Sequence, residues 1–138
     1  MLKDITNFTV RFNEVDSLGI VWHGHYVTYF EIGRESFGKK YGITYMDVKK
    51  NGVVIPVVHC QCDYKQSLKY GDTVNIETRF VNTSAAKIIF EYIISHHDRG
   101  LIATGKTIQV FTDLQGELQL NNPIFFENWK KNYNLENS

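Results

Sequence analysis

The chain consists of strand-like segments separated by short turns from residue 53 to residue 112. The predicted strands span residues 53–66, 73–82, 87–97 and 101–112. Apolar and polar residues alternate along most of this region, which is the period of a strand with one buried face. In the third segment both alternating sets are apolar, so we expect a central strand that is covered on both sides. Short turns between successive strands predict an antiparallel meander.

One long helix is predicted ahead of these strands, from about His25 to Tyr41. An apolar stripe at helical spacing runs along it and comprises Tyr26, Tyr29, Phe30, Gly33, Phe37 and Tyr41. A glycine on a buried stripe predicts that the helix backbone approaches the sheet closely at this point. Gly42 is expected to end the helix in a left-handed conformation.

The remaining segments complete an α+β domain. Residues 7–12 are predicted as a first strand, and a C-terminal helix is predicted with Asn122 as its N-cap and Pro123 as its first residue. The last few residues are expected to fray. Because the long helix can bury its stripe only against the sheet, we predict an antiparallel sheet of about five strands wrapped around it, in a single domain spanning residues 1–138. The exposed edges of such a sheet favour a homo-oligomer.

The composition argues against several kinds of partner. The 138 residues carry 15 Lys and Arg against 15 Asp and Glu, and this zero net charge argues against nucleic-acid or membrane-surface binding. No signal-peptide pattern or membrane-spanning apolar run is present, so a cytoplasmic location is expected. Cys60 and Cys62 are predicted to be small buried residues. His96 and His97, adjacent on a strand, are expected to point to opposite faces and so not to share a metal ion.

The loop between the first strand and the long helix holds the candidate catalytic groups. Asp16 and His23 precede the helix N-terminus, where unpaired N–H groups and the helix dipole stabilise negative charge. The apolar residues 20–22 predict a packed loop, in which a partly desolvated carboxylate can act as nucleophile or general base. On the residues alone, a capping role for Asp16 and a metal site with Asp16, His23 and His25 remain alternatives.

Residues 16–34, D-S-L-G-I-V-W-H-G-H-Y-V-T-Y-F-E-I-G-R, resemble the N-terminal signature of hotdog-fold acyl-CoA thioesterases of the 4-hydroxybenzoyl-CoA thioesterase type. The matching positions are Asp16, Gly19, His23, Tyr26, Glu31 and Arg34. The turn Tyr70-Gly71-Asp72 resembles the turn between the second and third strands of the same family. The chain differs from many members by having His25 in place of an asparagine, and from some by having Phe12 in place of a tyrosine.

The resemblance implies a hotdog fold and an acyl-CoA thioesterase, which hydrolyses the thioester to a free acid and CoA. Asp16 is the implied catalytic carboxylate, either as nucleophile or as base for water. The backbone N–H groups near His23 and Gly24 are implied to polarise the thioester carbonyl. His23 is implied to orient the substrate or to assist proton transfer.

The same resemblance implies how the substrate and a second subunit are bound. Gly19 and Tyr26 are predicted to contact the substrate, while Arg79 and Lys87 are predicted to bind the CoA phosphates. The active site is implied to lie between subunits of a homodimer or homotetramer, whose sheets join edge to edge. We predict neither a cofactor nor a metal ion.

Three alternatives to the acyl-CoA thioesterase remain open. The first is a thioesterase that acts on acyl-carrier protein, with the same chemistry and a protein partner. The second is a non-catalytic acyl- or CoA-binding hotdog protein, although such a protein has no need for Asp16. The third is a hotdog hydratase or dehydratase, which would need an Asp/His pair on a longer segment than this chain has.

Overall fold

An antiparallel five-stranded sheet with one long helix across it dominates the computed structural model, which describes residues 1–135. Across the sheet, the strands are β1 (Lys3–Thr9), β4 (Thr73–Val81), β5 (Lys87–His96), β6 (Gly100–Val110) and β3 (Val57–Tyr64). A second sheet pairs β2 (Val53–Val54) with β7 (Thr112–Asp113). The predicted α+β class, with about five strands around one long helix, is confirmed.

The helices are α1 (His25–Tyr41), α2 (Tyr45–Lys49) and α3 (Ile124–Asn132), with one 3₁₀ turn at Phe12–Glu14. The predicted bounds of α1 are correct, and Gly42 caps it with a φ of 73°. The predicted start of α3 is wrong by one position, since Pro123 and not Asn122 is the N-cap. The side-chain amide of Asn122 instead donates to Glu127 Oε1 at 3.1 Å. The expected fraying concerns residues up to 138, of which 136–138 lie outside the described part.

The apolar stripe of α1 packs against one face of the sheet. Tyr29, Phe30 and Phe37 are completely buried. At Gly33, an added Cβ would overlap Oγ1 of Thr78 on β4. The helix backbone can therefore lie this close to the sheet only because residue 33 has no side chain, which confirms the reason predicted for this glycine.

The predicted four-strand meander is wrong for its first strand. Strands β4, β5 and β6 are successive antiparallel neighbours, but β3 pairs with β6 and not with β4. The connection from β3 to β4 spans residues 65–72 and is not a tight turn. Its residue Leu68 is fully buried, and the Leu68 carbonyl accepts a hydrogen bond from Val21 N–H at 2.8 Å. The connection thus packs onto the loop ahead of α1, which leaves β3 at the opposite side of the sheet from β1.

Two strand boundaries also differ from the prediction. The first strand is Lys3–Thr9, not 7–12, because the chain turns after it into the 3₁₀ segment, where Glu14 accepts a hydrogen bond from Arg11 N–H at 2.7 Å. The long strand predicted at 53–66 is divided into β2 and β3 around Pro56. The edge position and the irregularity predicted from this proline are both present, since β3 is an edge strand with a register shift just after Val57.

Strand β3 leaves an apolar edge exposed. Val57 is 43% exposed and Val58 is 60% exposed. Cys60 on the same strand is exposed and Cys62 is partly exposed, so the expectation that both are buried is wrong. The reason is that β3 lies at the edge of the sheet, where one side of the strand has no neighbour. Within residues 1–135, no helix combines the length and the apolar character needed to cross a membrane.

Candidate active site

Asp16 lies near the tip of a small hairpin that joins the 3₁₀ turn to α1. At the base of the hairpin, Trp22 N–H donates to the carbonyl oxygen of Glu14 at 3.0 Å. One step further along, Val15 and Val21 form an antiparallel bridge. Because the outgoing arm runs directly into α1, this hairpin sets the position of Asp16 relative to the helix N-terminus.

The Asp16 carboxylate is partly buried, and only one of its two oxygens accepts a hydrogen bond within residues 1–135. Its Oδ1 accepts a hydrogen bond from Leu18 N–H at 2.9 Å. The backbone of Asp16 closes the hairpin tip, since its N–H donates to Ile20 and its carbonyl accepts from Gly19, both at 2.9 Å. Within residues 1–135 no other donor reaches this carboxylate, so its second oxygen is free to act on a substrate or a water molecule.

Glu14 is the buried acid at the base of the hairpin, with only 3% of its surface exposed. Its carboxylate accepts hydrogen bonds from the Arg11 guanidinium at 3.1 Å and from the Tyr29 hydroxyl at 3.2 Å. Burial alone would raise the pKa of this carboxyl, but the bonds from Arg11 and Tyr29 bring it below its usual value of 4.5. Since Tyr29 belongs to α1, Glu14 ties the hairpin to the helix.

The start of α1 supplies a backbone donor beside the hairpin. Gly24 is the N-cap residue of α1, and its N–H has no hydrogen-bond partner within the described residues. The ring of Trp22 lies against Gly24, where an added Cβ would overlap it. A glycine at this position therefore allows the tryptophan to cover the helix start. The positive end of the helix dipole lies at the same place and favours negative charge there.

A crevice of about 320 Å³ opens between the hairpin, the start of α1 and the end of β3. Residues from all three elements line it, among them Asp16, His23, Tyr26, Tyr64, Lys65 and Gln66. Three of the predicted site residues therefore share one cavity. Gly19 and Gly24 lie in the same loop but are not among the residues that line the cavity.

Arg79 and Lys87, the predicted phosphate-binding residues, do not line this crevice. Lys87 is the first residue of the ten-residue strand β5, whose other end lies near the crevice. Arg99, which lies just beyond that end, donates to the carbonyl oxygen of Ser67 at 2.8 Å, and Ser67 lines the crevice. Arg79 forms an ion pair with Glu77 on β4. Within one chain, therefore, neither predicted cation is brought to Asp16.

Two residues that the sequence analysis does not single out also line the crevice, Tyr64 at the end of β3 and Lys65 just after it. The Tyr64 hydroxyl donates to the carbonyl oxygen of His23 at 2.8 Å. Partial burial, and after it the neighbouring Cys62, raises the pKa of Tyr64 to about 12. No local sequence pattern marks these residues, because their position depends on where β3 ends relative to α1.

A metal site at the predicted catalytic residues has no support in the side-chain geometry. Within residues 1–135, Asp16, His23 and His25 do not form a group of close ligating atoms, whereas His96, His97 and Asp98 do, within 4.8 Å. The expectation that the two histidines point apart is therefore wrong. His96 is the last residue of β5 and His97 already belongs to the turn, so their rings stack at 5.0 Å.

Known proteins similar to this chain include two curated relatives whose names refer to CoA thioesters. YneP of Bacillus subtilis (strain 168), provisionally named as an acyl-CoA thioesterase, is 38% identical over 85 residues, which are 62% of this chain and 62% of that protein. A 1,4-dihydroxy-2-naphthoyl-CoA hydrolase of Prochlorococcus marinus (strain NATL1A) is 35% identical over 99 residues, which are 62% of this chain and 64% of that protein. The chain thus spans a little under two thirds of the length of these curated relatives.

The solved structures extend the likeness to almost the whole chain. The structure of a DHNA-CoA thioesterase from Staphylococcus aureus is similar with a TM-score of 0.87 and 28% sequence identity, over 97% of this chain and 90% of that one. The family described as the thioesterase-like superfamily matches residues 10–129. The chain therefore belongs to the thioesterase-like superfamily and has the hotdog fold.

Proposed function

We propose that the chain is an acyl-CoA thioesterase, which converts an acyl-CoA and water into a free acid and CoA. The observation that carries this proposal is that Asp16 and His23 line one crevice and that the peptide group directly after His23 carries the free N–H of Gly24. A carboxylate and an oxyanion-binding donor are the two groups that thioester hydrolysis needs. The names of the three similar proteins reported above all refer to CoA thioester hydrolysis and support the same reaction.

In this reaction the thioester carbonyl oxygen accepts a hydrogen bond from Gly24 N–H at the positive end of α1. Negative charge develops on that oxygen as the carbonyl carbon is attacked, so a donor already in place lowers the barrier. His23 lines the same crevice and orients the substrate or relays a proton. Oδ2 of Asp16 either attacks the carbon directly or removes a proton from the attacking water. Both routes break the carbon–sulfur bond and release CoA as a thiolate. In the direct route water then hydrolyses the mixed anhydride on Asp16, which releases the free acid and restores the carboxylate. In either route the CoA thiolate takes up the proton that the water gives up.

A panel of aliphatic and aromatic acyl-CoAs tests the proposed activity. We expect the wild-type chain to release free CoA thiol from at least one class, at a rate proportional to enzyme concentration. Gly19 and Tyr26 remain proposed substrate contacts, and the preferred acyl group will show what they accommodate. Binding of acyl-CoA without release of thiol from any member would instead support the non-catalytic hotdog protein.

Competition between carriers separates acyl-CoA from acyl-carrier protein as the substrate. Both substrates carry the same pantetheine arm next to the thioester, so the residues that line the crevice do not distinguish them, and the names of the relatives are what supports CoA. We expect the wild-type chain to hydrolyse an acyl-CoA faster than the same acyl group on carrier protein. A preference of the wild-type chain for the acylated carrier protein at equal concentrations would contradict this assignment.

We further propose that the chain forms a homodimer or homotetramer through the edge strand β3. The exposed valines of this strand and its unpaired backbone groups support the proposal, since such an edge readily pairs with a second strand. Arg79 and Lys87 remain the proposed phosphate-binding residues, because the CoA phosphates lie beyond the pantetheine arm and therefore outside the crevice. The whole-molecule prediction below tests this interface.

A further inference from the structure

The hydroxyl of Tyr64 touches the peptide group that the proposed reaction uses. Its donation to the His23 carbonyl oxygen, at 2.8 Å, joins the end of β3 to the start of α1. The carbon of that carbonyl is bonded to the nitrogen of Gly24. The acceptor of the Tyr64 hydrogen bond and the proposed oxyanion donor are therefore the two ends of one planar peptide group.

A hydrogen bond to one end of a peptide group strengthens the other end as a donor. The amide is conjugated, so electron density drawn to the carbonyl oxygen leaves the nitrogen more positive and its hydrogen more acidic. Chains of hydrogen bonds reinforce one another in this way, by about 10–30% per bond. The Tyr64 bond also fixes the plane of the peptide, and with it the direction in which Gly24 N–H points.

We propose that Tyr64 is a positioning residue for thioester hydrolysis, which polarises and orients the His23–Gly24 peptide so that Gly24 N–H can bind the developing oxyanion. This inference rests on the proposed function, because it assigns a role within the same site. It concerns a tyrosine from the edge strand, which acts on the substrate only through the backbone.

The surroundings of Tyr64 are suited to this role. Its ring packs edge-on against Tyr26 of α1, with centroids 4.9 Å apart, and edge-on against His23 at 6.4 Å. These contacts hold the hydroxyl over the His23 carbonyl. With a pKa raised to about 12, the phenol stays protonated and keeps its donor at neutral pH.

Tyr133 provides a matched control elsewhere in the molecule. Its hydroxyl donates to the carbonyl oxygen of Tyr41 at 3.1 Å, and that carbonyl belongs to the peptide whose nitrogen is that of Gly42. The variants Tyr64→Phe and Tyr133→Phe each remove one phenol from one carbonyl that precedes a glycine. Only the first of these glycines directly follows a residue that lines the crevice, His23.

Nuclear magnetic resonance of protein labelled with ¹⁵N-glycine reports on the His23–Gly24 and Tyr41–Gly42 peptide groups in the absence of substrate. The chain has ten glycines, so at most ten amide signals appear. The shift of an amide nitrogen responds to the hydrogen bond on the carbonyl bonded to it. We expect Tyr64→Phe to move the Gly24 signal and leave the Gly42 signal in place. Tyr133→Phe should leave the Gly24 signal in place and move the Gly42 signal by less, because the Trp129 indole N–H still donates to the Tyr41 carbonyl at 2.8 Å. An unmoved Gly24 signal in Tyr64→Phe would overturn the proposal.

Steady-state kinetics on an acyl-CoA that the wild type hydrolyses then tests the catalytic role. One oxyanion donor accelerates the reaction by about 10²–10³-fold. If the lost hydrogen bond removes a tenth to three tenths of the corresponding free energy, kcat should fall by about two- to eightfold. KM should stay unchanged, and Tyr133→Phe should keep both constants. A shifted Gly24 signal with an unchanged kcat would overturn the proposal. If the wild type hydrolyses no acyl-CoA, the proposed activity fails, while the Gly24 signal still decides whether Tyr64 polarises this peptide.

Discussion

Glu14 and Asp16 are two acids in adjacent turns of the chain, and their surroundings differ in every respect that matters for chemistry. Glu14 is buried, and both of its carboxylate oxygens accept hydrogen bonds from Arg11 and Tyr29. Its negative charge therefore stabilises the fold. Asp16 accepts a single bond from Leu18 and faces a crevice. A carboxylate can attack or remove a proton only if an oxygen remains free, and this is true of Asp16 alone.

Glu14→Gln should destabilise the protein by about 1.5–3 kcal/mol at pH 7, the range for hydrogen bonds to a charged group. Because the pKa of Glu14 is lowered by folding, its contribution is fully present above about 4.5 and is lost as the pH falls through the folded-state pKa. The stability gap between wild type and variant, measured by urea unfolding, should therefore shrink from pH 7 to pH 3. An equal gap at both pH values would show that the Glu14 charge is not what the structure stabilises.

At the scale of elements, the fold depends on two glycines at the contact between α1 and the sheet. Gly33 allows the helix backbone to approach β4, and Gly105 on β6 allows the ring of Phe30 to lie against the strand. Phe30 is also stacked on Tyr92 with centroids 4.4 Å apart, so it has no room to retreat. These contacts fix the distance between helix and sheet.

Gly105→Ala should therefore destabilise the protein by about 1–3 kcal/mol, the usual cost of overpacking a core. The added Cβ would overlap the Phe30 ring. The same substitution made in a Phe30→Leu background should cost clearly less, because the smaller side chain can move aside. Thermal unfolding of the four proteins gives this coupling directly. An equal loss of stability from Gly105→Ala in both backgrounds would contradict the view that the Phe30 ring is what the added Cβ displaces.

The features that sequence predicts well are those encoded within one element. The bounds of α1, its cap at Gly42 and the central place of β5 follow from local periodicity and turn chemistry. The place of β3 next to β6 does not, because it depends on how residues 65–72 pack across the loop ahead of α1. Tyr64 was missed for the same reason. Asp16 was predicted because its loop composition is unusual, whereas the burial of Glu14 leaves no local signal.

At the scale of the whole molecule, the exposed edge of β3 predicts that subunits associate through this strand. A lysine on a strand edge opposes pairing with another strand, so Val58→Lys should shift the protein to monomers in light scattering. Ile5→Lys is the matched control, because Ile5 is similarly exposed on the opposite edge strand β1. Monomers in Ile5→Lys and unchanged oligomers in Val58→Lys would place the interface on the other edge.

The central claim, that the Asp16 carboxylate performs the chemistry, is tested most directly by the rate of Asp16→Asn on an acyl-CoA that the wild type hydrolyses. Asparagine keeps the shape of the side chain and the Leu18 hydrogen bond, but it can neither attack the thioester nor accept a proton from water. We predict a fall in kcat of about 10²–10⁴-fold or more, with KM changed by a few-fold at most. A variant that retains near wild-type kcat would contradict this account of the site.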